Sequence, residues 1–189
     1  TQRVGDGGGV LDGLGLEAGG SRILLDCGLF QGLKLHRERN WQPLPIDLHS
    51  IDAVILSHAH LDHSGWLPVL VKHGYRGPIF TNTATRDLCA VLLADSAHLQ
   101  EEDARRANRY GSASHTPALP LYTKADAARA VARITALPSG RGAEVGRGDQ
   151  GVARRLHGGV AQALDVAEQL DQPLLGDLLD AQGVEGALL

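Results

Sequence analysis

The chain has 189 residues, 43% of them hydrophobic and 21% charged, with a formal net charge of −4. That balance belongs to a globular protein long enough to bury one sizeable core. No apolar run approaches the roughly 20 residues of a membrane-spanning helix, and the negative balance argues against broad attraction to nucleic acid, leaving only local sources of positive charge.

Residues 1–20 hold eight glycines and residues 138–189 hold ten, which leaves six of the 24 for the 117 residues between. All seven aromatic residues lie between Phe30 and Tyr122, and eight of nine histidines share that middle section. Three regions follow: a Gly-rich irregular segment over 1–20, a compact unit over 21–137 and a Gly/Ala-rich tail over 138–189. The ends read either as flexible linkers or as out-of-frame translation of a GC-rich gene. With no methionine in the chain as given, the expectation is a piece of a longer protein.

Ser21–Gly28 reads as a buried strand opening into a glycine turn. Asp26 ends its apolar run, where a carboxylate without a partner is costly; an exposed strand-end aspartate is the plainer alternative. Lys34 to Arg39 is a basic stretch followed by Asn40 and Trp41. Basic residues beside an aromatic can touch a nucleic-acid backbone or stack a base. A solvated loop with a packing tryptophan is the simpler expectation.

Ile51–Leu56 reads as a second buried strand. Directly after it, Ser57 to Gly65 carries three imidazoles and a carboxylate in the order His-x-His-x-Asp-His, a donor set suited to zinc and similar divalent ions. His58 and His60, two apart on an extended segment, point the same way and can grip one metal. Asp62 and His63 follow as a turn begins and can face a second. Paired ions of this kind serve hydrolases that polarise a scissile ester and generate a hydroxide nucleophile.

Trp66 is expected in the core or as a wall of the site, before a helix over Leu67 to Lys72. A short strand over Pro78–Thr81 precedes a long helix from Thr83 to Arg109, with Thr83 or Thr85 as N-cap and Leu88, Leu92 and Leu99 as the buried stripe. Glu101, Glu102 and Asp103 cannot converge on one ion from adjacent helical positions and are read as a solvated face. His98 is read as a helix-surface or partner-pocket residue. A loop over Gly111–Pro120 follows. Thr123 with Asp126 then forms a capping box opening a second helix through about Ala136. Cys27 and Cys89 lack Cys-x-x-Cys spacing, so free thiols and a cytoplasmic setting are the default, and no secretory leader precedes the first strand. The fold class is α/β, layered.

His58-Ala59-His60-Leu61-Asp62-His63 resembles the signature of the metallo-β-lactamase superfamily. Ser64-Gly65-Trp66-Leu67-Pro68, Arg76-Gly77-Pro78-Ile79-Phe80, Ala84-Thr85-Arg86-Asp87-Leu88, the run Asp95 to Asp103, and Leu119-Pro120-Leu121-Tyr122-Thr123 are similar to its β-CASP branch of RNA-processing nucleases, from about Leu16 to about Pro138. The resemblance implies the first half of an αββα sandwich, with His58 and His60 on one zinc, Asp62 and His63 on another, Asp62 also orienting the nucleophile, and Asp26 supporting the metal loop from behind. It implies RNA as substrate, with DNA as the alternative, and a homodimer as the option for assembly. A later histidine in Gly-His-x-x-Gly-Ser, a bridging aspartate and a final histidine are not visible; His157, Asp165, Asp177 and Asp180 do not match. The expectation is therefore weak metal binding and near-inactivity of this chain. Its rivals are a non-catalytic or frame-disrupted remnant and another hydrolase of the same superfamily, a DNA-repair nuclease included.

Overall fold

A computed structural model describes residues 2–3, 12–18, 21–42, 47–111, 116–137, 144–145 and 154–155. His157, Asp165, Asp177 and Asp180 lie outside the described residues.

The elements are β1 (Gln2–Arg3), β2 (Asp12–Ala18), β3 (Ser21–Gly28), α1 (Lys34–Glu38), β4 (Ala53–Ile55), α2 (Leu61–Ser64), α3 (Leu67–Lys72), β5 (Ile79–Thr81), α4 (Thr83–Tyr110), α5 (Lys124–Val131), β6 (Ile134–Ala136), β7 (Glu144–Val145) and β8 (Arg154–Arg155). Strands β1 to β6 form one sheet in sequence order, and β7 pairs with β8 separately. The pairs β1–β2 and β2–β3 are antiparallel, while β3, β4, β5 and β6 run parallel. Each parallel step needs a crossover, and helices supply it. The chain is thus a layered α/β fold, as the element pattern implies.

Alternation along the strands sorts the core. Leu24, Val54, Leu56 and Ile79 point to one face, where they join Trp66, Leu67 and Leu70 with Cys89, Leu93 and Ala97 of α4 and Ala127 and Ala130 of α5. Ala53 and Phe80 point the other way and meet Leu137. Among the described residues no helix is long and apolar enough to cross a membrane.

Several local expectations are corrected. Asp12–Ala18, inside the Gly-rich start, is a seven-residue strand paired with β3, because backbone pairing does not depend on side chains that glycine lacks. Lys34–Glu38 is a short helix rather than a loop, and Trp41 is 59% exposed rather than packed. Helix α4 takes its N-cap from Asn82, whose Oδ1 accepts the Thr85 N–H at 2.7 Å. Its buried stripe is Thr85, Cys89, Leu93, Ser96 and Ala97. Leu88 and Leu99, expected inside, are each 55% exposed. Small residues at 89, 96 and 97 let the helix lie close to its neighbours, and that closeness outweighs the area two leucines offer. The helix stops at Gly111, which takes a left-handed φ of 63°.

The capping box at α5 is present: Thr123 Oγ1 accepts the Asp126 N–H, and Asp126 Oδ2 accepts the Thr123 N–H at 2.8 Å. Glu101 Oε1 accepts the next amide, Lys124 N–H, at 2.9 Å, so one of the three acids caps this helix rather than merely facing solvent. The helix ends at Val131, however, and Ile134–Ala136 is β6. The β-branched pair Ile134 and Thr135 prefers a strand, and Ile134 is buried beside Ile79.

Candidate metal centre

The centre is assembled where β3 and β4 end side by side. Their parallel register pairs Leu25 with Ile55, which brings Asp26, one residue on, beside Ser57, two residues on. Asp26 is buried and adopts φ 60°, a left-handed conformation uncommon for any residue with a Cβ. That backbone turns its carboxylate into the loop. Oδ1 accepts the Ser57 N–H at 2.8 Å and Oδ2 lies 2.9 Å from His63 Nδ1. Ser57 Oγ is 2.8 Å from both carboxylate oxygens and 3.1 Å from His58 Nδ1. The buried carboxylate is therefore fully partnered, which offsets its desolvation.

This network dictates where protons sit. An ionised carboxylate only accepts, so the Ser57 hydroxyl proton goes to Asp26. Ser57 Oγ can then engage His58 only as acceptor, with His58 Nδ1–H donating. His63 Nδ1–H donates to Asp26 in the same way. A neutral ring held in this way carries its lone pair at Nε2, the state a metal ligand requires. Burial, followed by the neighbouring His63, lowers the pKa of His58 and so favours its neutral form.

The outer nitrogens face the neighbouring ligands. His58 Nε2 lies 3.1 Å from His60 Nδ1, with the rings edge to face at 4.7 Å between centroids. Two nitrogens bound at about 2.0–2.1 Å to one tetrahedral zinc stand roughly 3.3 Å apart, so the pair is set for a shared ion. His63 Nε2 lies 3.6 Å from Asp62 Oδ2, and the His58 and His63 rings pack at 3.9 Å between centroids. The four predicted ligands are thus brought together as two adjoining pairs, with Asp26 behind them. Among the described residues no group of three or more His, Cys, Asp or Glu is arranged to hold a metal ion. The donors fit a divalent ion in kind and spacing, and each pair needs further donors to close a coordination shell.

Two residues that hold the site were not singled out by sequence reasoning. Ser57 sets the His58 tautomer; its only sequence signal is a hydroxyl residue closing an apolar strand. Gly28 lies so close to the loop that a Cβ there would stand 1.5 Å from the Asp62 carbonyl oxygen and 2.8 Å from the His63 nitrogen. A glycine at a strand end reads as a turn, and sequence does not reveal the second strand of backbone it touches. Around them, Leu29 N–H donates to Leu61 O at 2.9 Å, Trp66 N–H donates to Cys27 O at 2.9 Å, and Ser64 Oγ donates to Ala59 O at 2.8 Å. Trp66 is fully buried, and its indole N–H donates to Asn40 O at 3.0 Å, which makes it core rather than site wall. Cys27 is no competing ligand: burial first, then the Asp26 charge, pushes its thiol well up. His98, on α4, is only partly buried, and its Nδ1 has no hydrogen-bond partner among the described residues.

Residues 16–75 match the family model of the metallo-beta-lactamase superfamily. The chain is 48% identical over 87 residues to ribonuclease TTHA0252 of Thermus thermophilus, a match covering 46% of this chain and 20% of that protein. It is 43% identical over 94 residues to transcription termination factor FttA of Methanothermobacter thermautotrophicus, covering 46% of this chain and 14% of the relative. Of solved structures, it is similar to MEM-A1, a subclass B3 metallo-beta-lactamase from a soil metagenome, at 17% identity and a TM-score of 0.37, over 71% of this chain and 44% of that one. The chain thus spans a fifth or less of the two curated relatives.

Proposed function

We propose that this chain, whose residues 16–75 match the metallo-beta-lactamase superfamily model, carries part of a zinc-dependent nuclease of the β-CASP type, cleaving RNA phosphodiester bonds. The observation that carries the proposal is the set of contacts around Asp26. One buried carboxylate, directly at His63 Nδ1 and through Ser57 at His58 Nδ1, engages the inner nitrogen of both rings and leaves each Nε2 facing the next ligand. A structural ion pair would not need two histidines held in one tautomer. Similarity to a named ribonuclease, rather than to a lactamase alone, favours RNA as the substrate.

His58 and His60 would hold one zinc ion, and Asp62 and His63 a second. Bound there, zinc supplies Lewis acidity toward phosphoryl oxygens and a nucleophile at neutral pH. The chain's own residues do the rest. Asp26 fixes the His63 ring through Nδ1, and Ser57 fixes the His58 ring through Nδ1, so neither ring can rotate its donor away. Asp62, half-exposed beside His63, would orient an attacking water and accept its proton. Gly28 keeps β3 in contact with the loop so that these groups hold their spacing. The unit responsible is residues 21–137, and two buried free thiols accord with a cytoplasmic setting.

The test is cleavage of end-labelled single-stranded RNA with added zinc, with and without chelator. The expected result is slow, chelator-sensitive cleavage by the chain that disappears in His58→Ala and Asp62→Ala. Cleavage unaffected by those substitutions, or turnover of a lactam or thioester in preference to RNA, would overturn the reading.

A further inference from the structure

The segment between β3 and β4 carries a feature the metal chemistry does not use. Trp41 exposes 59% of its surface, although the chain's other tryptophan, Trp66, is fully buried. It lines a cleft of about 300 Å³ together with Leu29, Lys34, Arg37, Gln100 and Leu121. Two cations face this cleft against one carboxylate, Glu38, on a chain whose overall charge is −4. The Lys34–Glu38 pair spans 3.7 Å with both side chains mostly exposed, so water screens it and leaves the lysine available. Arg37 has no carboxylate partner among the described residues. Nearby, Arg39 lies over the Phe30 ring at 5.5 Å.

The segment is held firmly, and it is held to the metal loop. Asn40 clamps Phe30 twice: its Oδ1 accepts the Phe30 N–H, and its Nδ2–H donates to Phe30 O, both at 2.9 Å. The Asn40 carbonyl accepts the Trp66 indole N–H. Leu29, on the cleft wall, donates its N–H to Leu61, the residue beside Asp62. The cleft therefore borders the loop that carries His58 to His63.

We propose that this cleft is a docking platform for single-stranded RNA, with Trp41 stacking an unpaired base while Lys34 and Arg37 take the flanking phosphates, feeding the strand toward the metal loop. The pairing of an exposed indole with cations is the chemistry by which single strands are held without sequence readout. A duplex offers no free base face to the indole, so the platform selects unpaired strands. The inference rests on the ribonuclease reading and deepens it by naming the strandedness of the substrate and the residues that receive it.

Trp41 provides its own reporter, because Trp66 is shielded in the core. With chelator present, the 189-residue chain is titrated with oligouridylate of about ten nucleotides, a length within the site sizes of single-strand binders. The expected result is quenching of the exposed tryptophan, absent with a duplex of equal length. Trp41→Ala is expected to weaken binding of a labelled oligomer about tenfold or more. Arg37→Glu is expected to weaken it and flatten the salt dependence, whereas Arg109→Glu, on α4, leaves it unchanged. Absence of quenching, equal quenching by duplex, or equal binding by Trp41→Ala would overturn the proposal. His58→Ala separates the two readings: it should lose metal yet keep the quenching. If quenching fails while chelator-sensitive cleavage persists, the platform alone falls. If quenching holds while His58→Ala still cleaves, the ribonuclease reading alone falls.

Discussion

Replacing Gly28 by alanine tests how the metal loop is kept in place. The added Cβ would stand 1.5 Å from the Asp62 carbonyl oxygen, 2.1 Å from its carbon and 2.8 Å from the His63 nitrogen. All three are backbone atoms, so no side chain can rotate to relieve the overlap. Restoring ordinary contact at about 3.4 Å requires the loop and β3 to part by roughly 2 Å, and overpacking of this kind costs about 1–3 kcal/mol or more. The effect on the site should exceed the effect on stability. Ligand geometry tolerates only about 0.5 Å of displacement, and the Asp26–His63 contact of 2.9 Å crosses the gap that must open. The expected outcome is a melting temperature lowered by several degrees and zinc affinity, measured by competition with a chromophoric chelator, reduced by about tenfold or more. Gly32→Ala serves as the control, because a Cβ there meets nothing within 4 Å although its φ of 81° makes the change mildly strained. If Gly28→Ala binds zinc as tightly as the parent, the contact does not position the loop and the reasoning fails.

Other outcomes follow from the same structure. Asp26→Asn keeps the shape but removes the obligatory acceptor, so His63 loses its enforced tautomer and zinc affinity should fall about 10- to 100-fold; calorimetry on a variant of unchanged helical content would check it. Leu93→Ala, at a fully buried position on α4, should cost about 2–5 kcal/mol in urea unfolding, whereas Leu99→Ala, on the exposed side, should change stability by under about 0.5 kcal/mol. Burial raises the Asp126 carboxyl, but the Thr123 N–H and hydroxyl outweigh it, with help from the Arg129 and Lys72 charges, and hold it below the usual range. A depressed carboxyl contributes stability above its unfolded value near 3.9, and that contribution is lost as pH falls through the lower folded value. The parent's advantage over Asp126→Asn, about 1 kcal/mol for a cap, should therefore shrink toward zero in unfolding titrations taken down through that range.

What was legible in the sequence divides by the range of the interaction involved. The strand Ile51–Leu56 and the cluster His58 to His63 are local: an apolar run and adjacent donors announce themselves without knowledge of the rest of the chain. The capping box Thr123–Asp126 is equally local and was read correctly. Features set by distant backbone were not. Ser57 matters because Asp26, 31 positions away, adopts a left-handed turn toward it. Gly28 matters because another segment passes within contact of its Cα. The stripe on α4 was misplaced because hydrophobicity favours leucines, whereas the packed face uses cysteine, serine and alanine for close approach. Strand β6 was absorbed into the preceding helix, since three residues carry too little periodicity to oppose an Ala-rich run.

Metal binding by His58, His60, Asp62 and His63, as two pairs pre-set by Asp26, is open to direct measurement. Cobalt(II) titration of the chain reports this most directly, because its visible absorption reveals ligand type and number. The expected result is nitrogen- and oxygen-ligated cobalt, displaced by zinc, with affinity reduced about tenfold or more in His58→Ala and likewise in Asp62→Ala. No uptake by the parent, or uptake identical in parent and both variants, would contradict it.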